Sequence, residues 1–138
     1  MTVVAAIGAV ALALPVTASA AVTHTIENSN GTYVYVNPNL SVQLVSAPNA
    51  STLQIVGTIK SGGHTYYEYQ DVLTGYCIQA TTNDSKMAAG GCIGSNRQYW
   101  FWNSHVLVNY AFATKAYASG SNVDLGTGSG SAYDWVIS

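Results

Sequence analysis

Leu73-Thr74-Gly75-Tyr76-Cys77-Ile78-Gln79-Ala80 begins a stretch that returns to cysteine at Cys92 and closes on Gln98-Tyr99-Trp100. Gly75 punctuates the chain, and Tyr76 to Ala80 is a short run of aromatic and apolar residues around Gln79. Asn83-Asp84-Ser85 forms a second turn cluster, Met87-x-Ala89 an apolar alternation, and Gly94-Ser95-Asn96 a third turn before Trp100-Phe101-Trp102. Short β-prone runs separated by closely spaced turn residues are the pattern of an antiparallel all-β domain.

The same plan recurs on both sides of this stretch. His24, His64 and His105 each open a strand-like run, at nearly even intervals. Each run leads to a turn and a second strand: Gly31-Thr32-Tyr33-Val34, Gly75-Tyr76-Cys77-Ile78 and Thr114-Lys115-Ala116-Tyr117. An apolar alternation follows in each, Val42-x-Leu44, Met87-x-Ala89 and Val123-x-Leu125. The units close on Leu53 or Ile55, on Trp100 and on Trp135. Three degenerate repeats of roughly 40 residues, each of about four short strands, predict a closed β-barrel with a threefold cap, because one unit alone cannot bury its apolar face.

Composition narrows the function. Charged residues make up only 7% of the 138-residue chain, and the net charge is −2. Lys60, Lys86, Arg97 and Lys115 are the only strong cations and they are scattered. Nucleic-acid binding needs clustered Lys and Arg, so that class is excluded. An apolar fraction of 49% excludes disorder.

The amino-terminal segment reads separately from the rest. Val3 to Val16 is almost wholly apolar, and Ala18-Ser19-Ala20 is a small-x-small cleavage signal. The apolar run is short for a membrane span. Residues 1–20 are therefore expected to be a signal peptide, although no Lys or Arg precedes the run. The mature domain is expected to be residues 21–138, secreted and not membrane-bound. In an oxidising compartment the only two cysteines, Cys77 and Cys92, are expected to pair. A bridge closing a loop of that length stabilises the fold by about 3 kcal/mol in the chain-entropy picture.

The run Leu73 to Ile78, with Cys92 and the closing Gln98-Tyr99-Trp100, resembles the repeat of ricin B-type lectins. Tyr133-Asp134-Trp135 keeps the closing tryptophan in the last unit, and the first unit keeps neither cysteine nor tryptophan. The resemblance implies a β-trefoil, a disulfide within the middle repeat, and structural roles for Gln98, Trp100 and Trp135. It also implies sugar binding through an Asp two residues after the first cysteine, an aromatic platform and a nearby amide. Gln79 stands in the place of that Asp, and the matching places in the outer units are Tyr35 and Tyr117 or Ala118.

Ten tyrosines follow the leader, and aromatic rings stack on the apolar faces of sugars. Tyrosine is also an ordinary strand residue, so the composition alone assigns no site. The carbohydrate-binding candidates are Gln79, Asn83, Asn96 and Tyr99, which flank the middle unit's turn and closing strand. The three histidines would make a metal site only if their strands met on one axis, and no metal or cofactor is expected. No nucleophile elbow and no phosphate-binding glycine loop is present in the sequence. The expected function is a non-catalytic, lectin-like module standing alone and binding glycan or polysaccharide. The alternative is a secreted trefoil scaffold that binds or inhibits a protein partner.

Overall fold

The computed structural model describes Gly8, Ala13 and residues 20–138. The expected leader, apart from Gly8, Ala13 and Ala20, lies outside the described residues. From Thr23 onward the chain is an antiparallel sheet of thirteen short strands that nearly closes on itself. The sequence expectation of an all-β chain holds. Helical structure among the described residues is confined to three 3-10 turns, Ala47–Asn49, Asn96–Gln98 and Ser131–Tyr133. Among the described residues no helix is long and apolar enough to cross a membrane.

The strands fall into three units with one shared register. The first contains β1 (Thr23–His24), β2 (Ile26–Asn28), β3 (Tyr33–Val36), β4 (Val42–Val45) and β5 (Leu53–Ser61). The second contains β6 (His64–Asp71), β7 (Cys77–Ala80), β8 (Met87–Gly90) and β9 (Tyr99–Asn103). The third contains β10 (Val106–Asn109), β11 (Lys115–Ser119), β12 (Asn122–Gly126) and β13 (Trp135–Ile137). In the inner hairpins Val34 faces Leu44, Ile78 faces Ala89 and Ala116 faces Leu125. Leu53 pairs with Asp71, Trp100 with Asn109 and Trp135 with Asn28. The last of these pairs joins the final strand to the first unit and brings the sheet round.

Alternation places one side of each hairpin in the core. Val34, Val36, Ile78, Ala80, Ala116 and Val123 are all buried, as are Leu53, Trp100 and Trp135 at the start of the closing strands. The two indoles reach their maximum apolar burial only because each N–H finds a carbonyl. Trp100 Nε1 donates to Ile78 O at 3.1 Å, and Trp135 Nε1 donates to Ala116 O at 2.8 Å. In the first unit the equivalent carbonyl, Val34 O, accepts instead from the backbone N–H of Ser51 at 3.0 Å. The Ser51 hydroxyl in turn accepts from Val36 N at 2.9 Å. The segment from the 3-10 turn to the closing strand is two residues longer in this unit, and the Ser51 N–H takes the carbonyl that an indole N–H takes in the other two. Leu53 is therefore the first unit's counterpart of the tryptophans; Ile55 is exposed.

Cys77 and Cys92 form a disulfide, tying β7 to the segment that enters the second 3-10 turn. Gln98, fully buried, makes four bonds, three to that segment and one to Gln79 on β7. Its Nε2 donates to Gly91 O and to Gln79 Oε1, and its Oε1 accepts from Ile93 N and Ser95 N.

Candidate functional site

The shared register makes Tyr35, Gln79 and Tyr117 equivalent, since they face Gln43, Ala88 and Asp124 across their hairpins. By the same register Ser51, Gln98 and Tyr133 lie two residues before Leu53, Trp100 and Trp135. The Gln79–Gln98 pair meets beside Gly90 and the Tyr117–Tyr133 pair beside Gly126; Val45 holds the matching hairpin place in the first unit. What happens between the members of each pair decides whether a unit has a pocket.

In the second unit the space is filled. Gln98 Nε2 bonds Gln79 Oε1 at 3.1 Å, and the Gln79 amide lies across Gly90 so closely that a Cβ there would come within 2.8 Å of it. In the third unit it is filled by rings. Tyr117 and Tyr133 stack with centroids 4.9 Å apart, and the Tyr133 hydroxyl would lie 2.8 Å from a Cβ on Gly126. The Tyr133 hydroxyl also accepts from Gly128 N at 3.1 Å.

In the first unit the Ser51 hydroxyl is turned to Val36 N, no hydrogen bond joins it to Tyr35, and a cleft of about 790 Å³ opens beside Tyr35. Its lining includes Tyr35, Val45, Asn49, Ser51, Asp71 and Leu73. Thr52 and Val72 line it as well. The chemistry is mixed: one aromatic ring, aliphatic surface from Val72 and Leu73, an amide from Asn49, a hydroxyl from Thr52 and one carboxylate. That set suits a hydroxylated ring with one apolar face. The cleft lies within the usual size range for small-ligand sites.

The four residues singled out from the sequence are spread over different surroundings. Gln79 is engaged by Gln98. Asn83 is exposed in the β7–β8 turn, where its Oδ1 accepts from the hydroxyls of Thr81 and Ser85. Asn96 is exposed in the second 3-10 turn, its carbonyl accepting from Tyr99 N. Tyr99 lies on the face of β9 opposite Trp100, with its hydroxyl beside Gly57 and Gly94. The histidines are also dispersed: His24 packs edge-on to Tyr69, His64 on Phe101 and His105 on Trp102. Among the described residues no three His, Cys, Asp or Glu side chains gather as a metal site. The sequence reading missed Asn49, Ser51, Asp71 and Leu73. Only the sense of Tyr35 as Gln79's counterpart pointed toward this cleft.

No protein-family model matches the chain, and no curated protein matches it. Solved structures do. The chain is similar to a GH43 β-1,3-galactosidase, with a TM-score of 0.66 and 15% identity over 83% of this chain and 26% of that one. It is similar to cytolethal distending toxin from Actinobacillus actinomycetemcomitans, with a TM-score of 0.68 and 16% identity over 82% of this chain and 88% of that one. It is also similar to a GlcNAcα1-4Gal-releasing endo-β-galactosidase from Clostridium perfringens, with a TM-score of 0.63 and 14% identity over 83% of this chain and 31% of that one. The chain thus spans about a quarter to a third of the two carbohydrate-active enzymes. The shared feature is the fold.

Proposed function

We propose that this chain is a secreted, non-catalytic carbohydrate-binding module, a degenerate β-trefoil of ricin B type, with its working pocket in the first unit. One observation carries the reading. Of three equivalent places, two are plugged by a residue pair, and the third is open beneath Tyr35. The ring offers a stacking face for the apolar side of a sugar, and the polar groups around it offer bonds to hydroxyls. The threefold register supports the trefoil reading, and the disulfide supports an oxidising compartment. The galactoside-directed enzymes among the structural neighbours support a glycan ligand.

The test is a glycan and polysaccharide binding screen on the oxidised protein, with two variants. Saturable binding that is lost in Tyr35→Ala and kept in Gln79→Ala is expected. Binding lost only in Gln79→Ala would move the site to the second unit. Sequencing the amino terminus of secreted protein is expected to begin at Ala21; a start at Met1 would refute cleavage.

The second reading is a scaffold for a protein partner. Leu73 and Ile93 favour it, being 86% and 79% exposed in the segments joined to β7 by the turn and by the disulfide. Absence of any glycan binding, with a partner captured through a surface lost in Leu73→Ser, would select this reading.

A further inference from the structure

Asp71 occupies a place that the other two units give to asparagine. Asn28, Asp71 and Asn109 end β2, β6 and β10, the strands before each unit's inner hairpin, are 2% exposed or less, and send their backbone N–H to the far side of the following turn. The two asparagines divide their amides between two tasks. Asn28 Oδ1 accepts from Asn30 N, and its Nδ2 donates to Ala132 O and Asp134 O at 3.0 Å each. Asn109 Oδ1 accepts from Ala111 N, and its Nδ2 donates to Arg97 O at 2.9 Å. The donating arm thus fastens the closing segment of the neighbouring unit.

Asp71 performs only the first task. Its Oδ2 accepts from Thr74 N at 2.8 Å and from the Thr74 hydroxyl at 2.7 Å. A carboxylate has no N–H, so Asp71 gives the first unit's closing segment no side-chain bond, and backbone bonds such as Val72 N to Thr52 O hold it instead. Oδ1 accepts from no donor among the described residues, yet it is not sealed from solvent as a buried orphan would be. Asp71 is one of the residues that line the cleft. A carboxylate so little exposed, with an idle oxygen, is a poor structural choice where asparagine serves twice elsewhere in the same chain.

We infer that Asp71, reaching across from the second unit, is the hydroxyl-binding carboxylate of the first unit's cleft and restricts its ligand to neutral glycans. The inference rests on the carbohydrate-binding reading above. A ligand hydroxyl donating to Oδ1 makes a charge-assisted bond, stronger than one to an amide. Tyr35 supplies the ring face, and Asn49 and Thr52 lie at the same cleft for further hydroxyls. No Lys, Arg or His lines the cleft, so the carboxylate of a sialic or uronic acid would meet Asp71 with no compensating cation.

The variant that tests this is Asp71→Asn, which installs the residue already used at positions 28 and 109. It is expected to fold and to keep or raise the melting temperature, because Nδ2 regains a structural partner. Titrated with the neutral glycan that wild type binds best in the screen, it is expected to bind at least tenfold more weakly. Wild type is also expected to prefer that neutral glycan to its uronic acid counterpart, a comparison that needs no variant. Equal affinity in Asp71→Asn and wild type overturns the role of Asp71 and leaves the lectin reading standing. Preference for the acidic glycan does the same. A wild type that binds no glycan at all overturns both.

Discussion

Tyr117 stacks on Tyr133 at 4.9 Å in the third unit, in the position where Gln79 meets Gln98 in the second. The two plugs differ in stiffness, and the glycine beneath each one exposes the difference. A Cβ on Gly126 would meet the Tyr133 hydroxyl at 2.8 Å and the Tyr117 ring at 3.1 Å, both parts of rigid, stacked rings. A Cβ on Gly90 would meet the far end of Gln79, which can swing. Gly126→Ala is expected to destabilise by about 1–3 kcal/mol, the cost of overpacking. Gly90→Ala should cost less. Urea denaturation of the two variants ranks them, and a larger loss at Gly90 would refute the stiffness argument.

Gly75 and Ala113 hold the same turn position, each donating its N–H to the end of its unit's first strand, Asp71 O and Asn109 O. Both have left-handed backbone, with φ of 76° and 55°. That conformation costs an L-residue with a Cβ roughly 1–2 kcal/mol, and glycine nothing. Ala113→Gly is expected to stabilise the protein by about 0.5–1 kcal/mol after the larger unfolded-state entropy of glycine is counted. A fall in melting temperature would contradict it.

Tyr69 is 3% exposed, and burial, with a smaller contribution from Tyr67, pushes its phenol up from 10.0 to about 12. The folded state therefore holds a proton that the unfolded state releases first. Its contribution is complete below pH 10 and is lost as pH rises toward 12, by up to about 2 kcal/mol. Tyr69→Phe should lie closer to a flat stability profile across that alkaline window. An unchanged slope would show that Tyr69 is not the group responsible.

Reduction of the Cys77–Cys92 bridge frees a loop of 15 residues. The expected loss is about 3 kcal/mol, which lowers the melting temperature by roughly 10 °C for a domain of this size. Thermal unfolding with and without reductant measures it directly. The glutamine clamp at Gln98 stays in place, so the reduced protein is expected to remain folded at room temperature.

The strands, turns and repeats were legible because they are local. Alternation marked the core faces of Val34, Ile78 and Ala116, and turn residues marked the hairpin ends. The tryptophans at 100 and 135 announced the closing strands, and the disulfide followed from the cysteine count. The cleft was not legible, because it depends on what does not meet. Gln79 reads as an available amide until the fold brings Gln98 to it from nineteen positions away. Asp71 reads as a turn acid until the register sets it beside Asn28 and Asn109. The two extra residues before Leu53 look like drift in a degenerate repeat, yet with them Ser51 bonds Val36 N, and no contact like those of Gln98 or Tyr133 is made to Tyr35.

That one plug is missing and two are present sets the valency of the molecule. Under the proposed reading, one open place among the three equivalent ones predicts one such ligand per chain, so a single chain would gain no avidity from a densely glycosylated surface. Titration to a stoichiometry of one glycan per chain is the expected result. Residence time on a glycan would then come from the contacts inside that first-unit cleft.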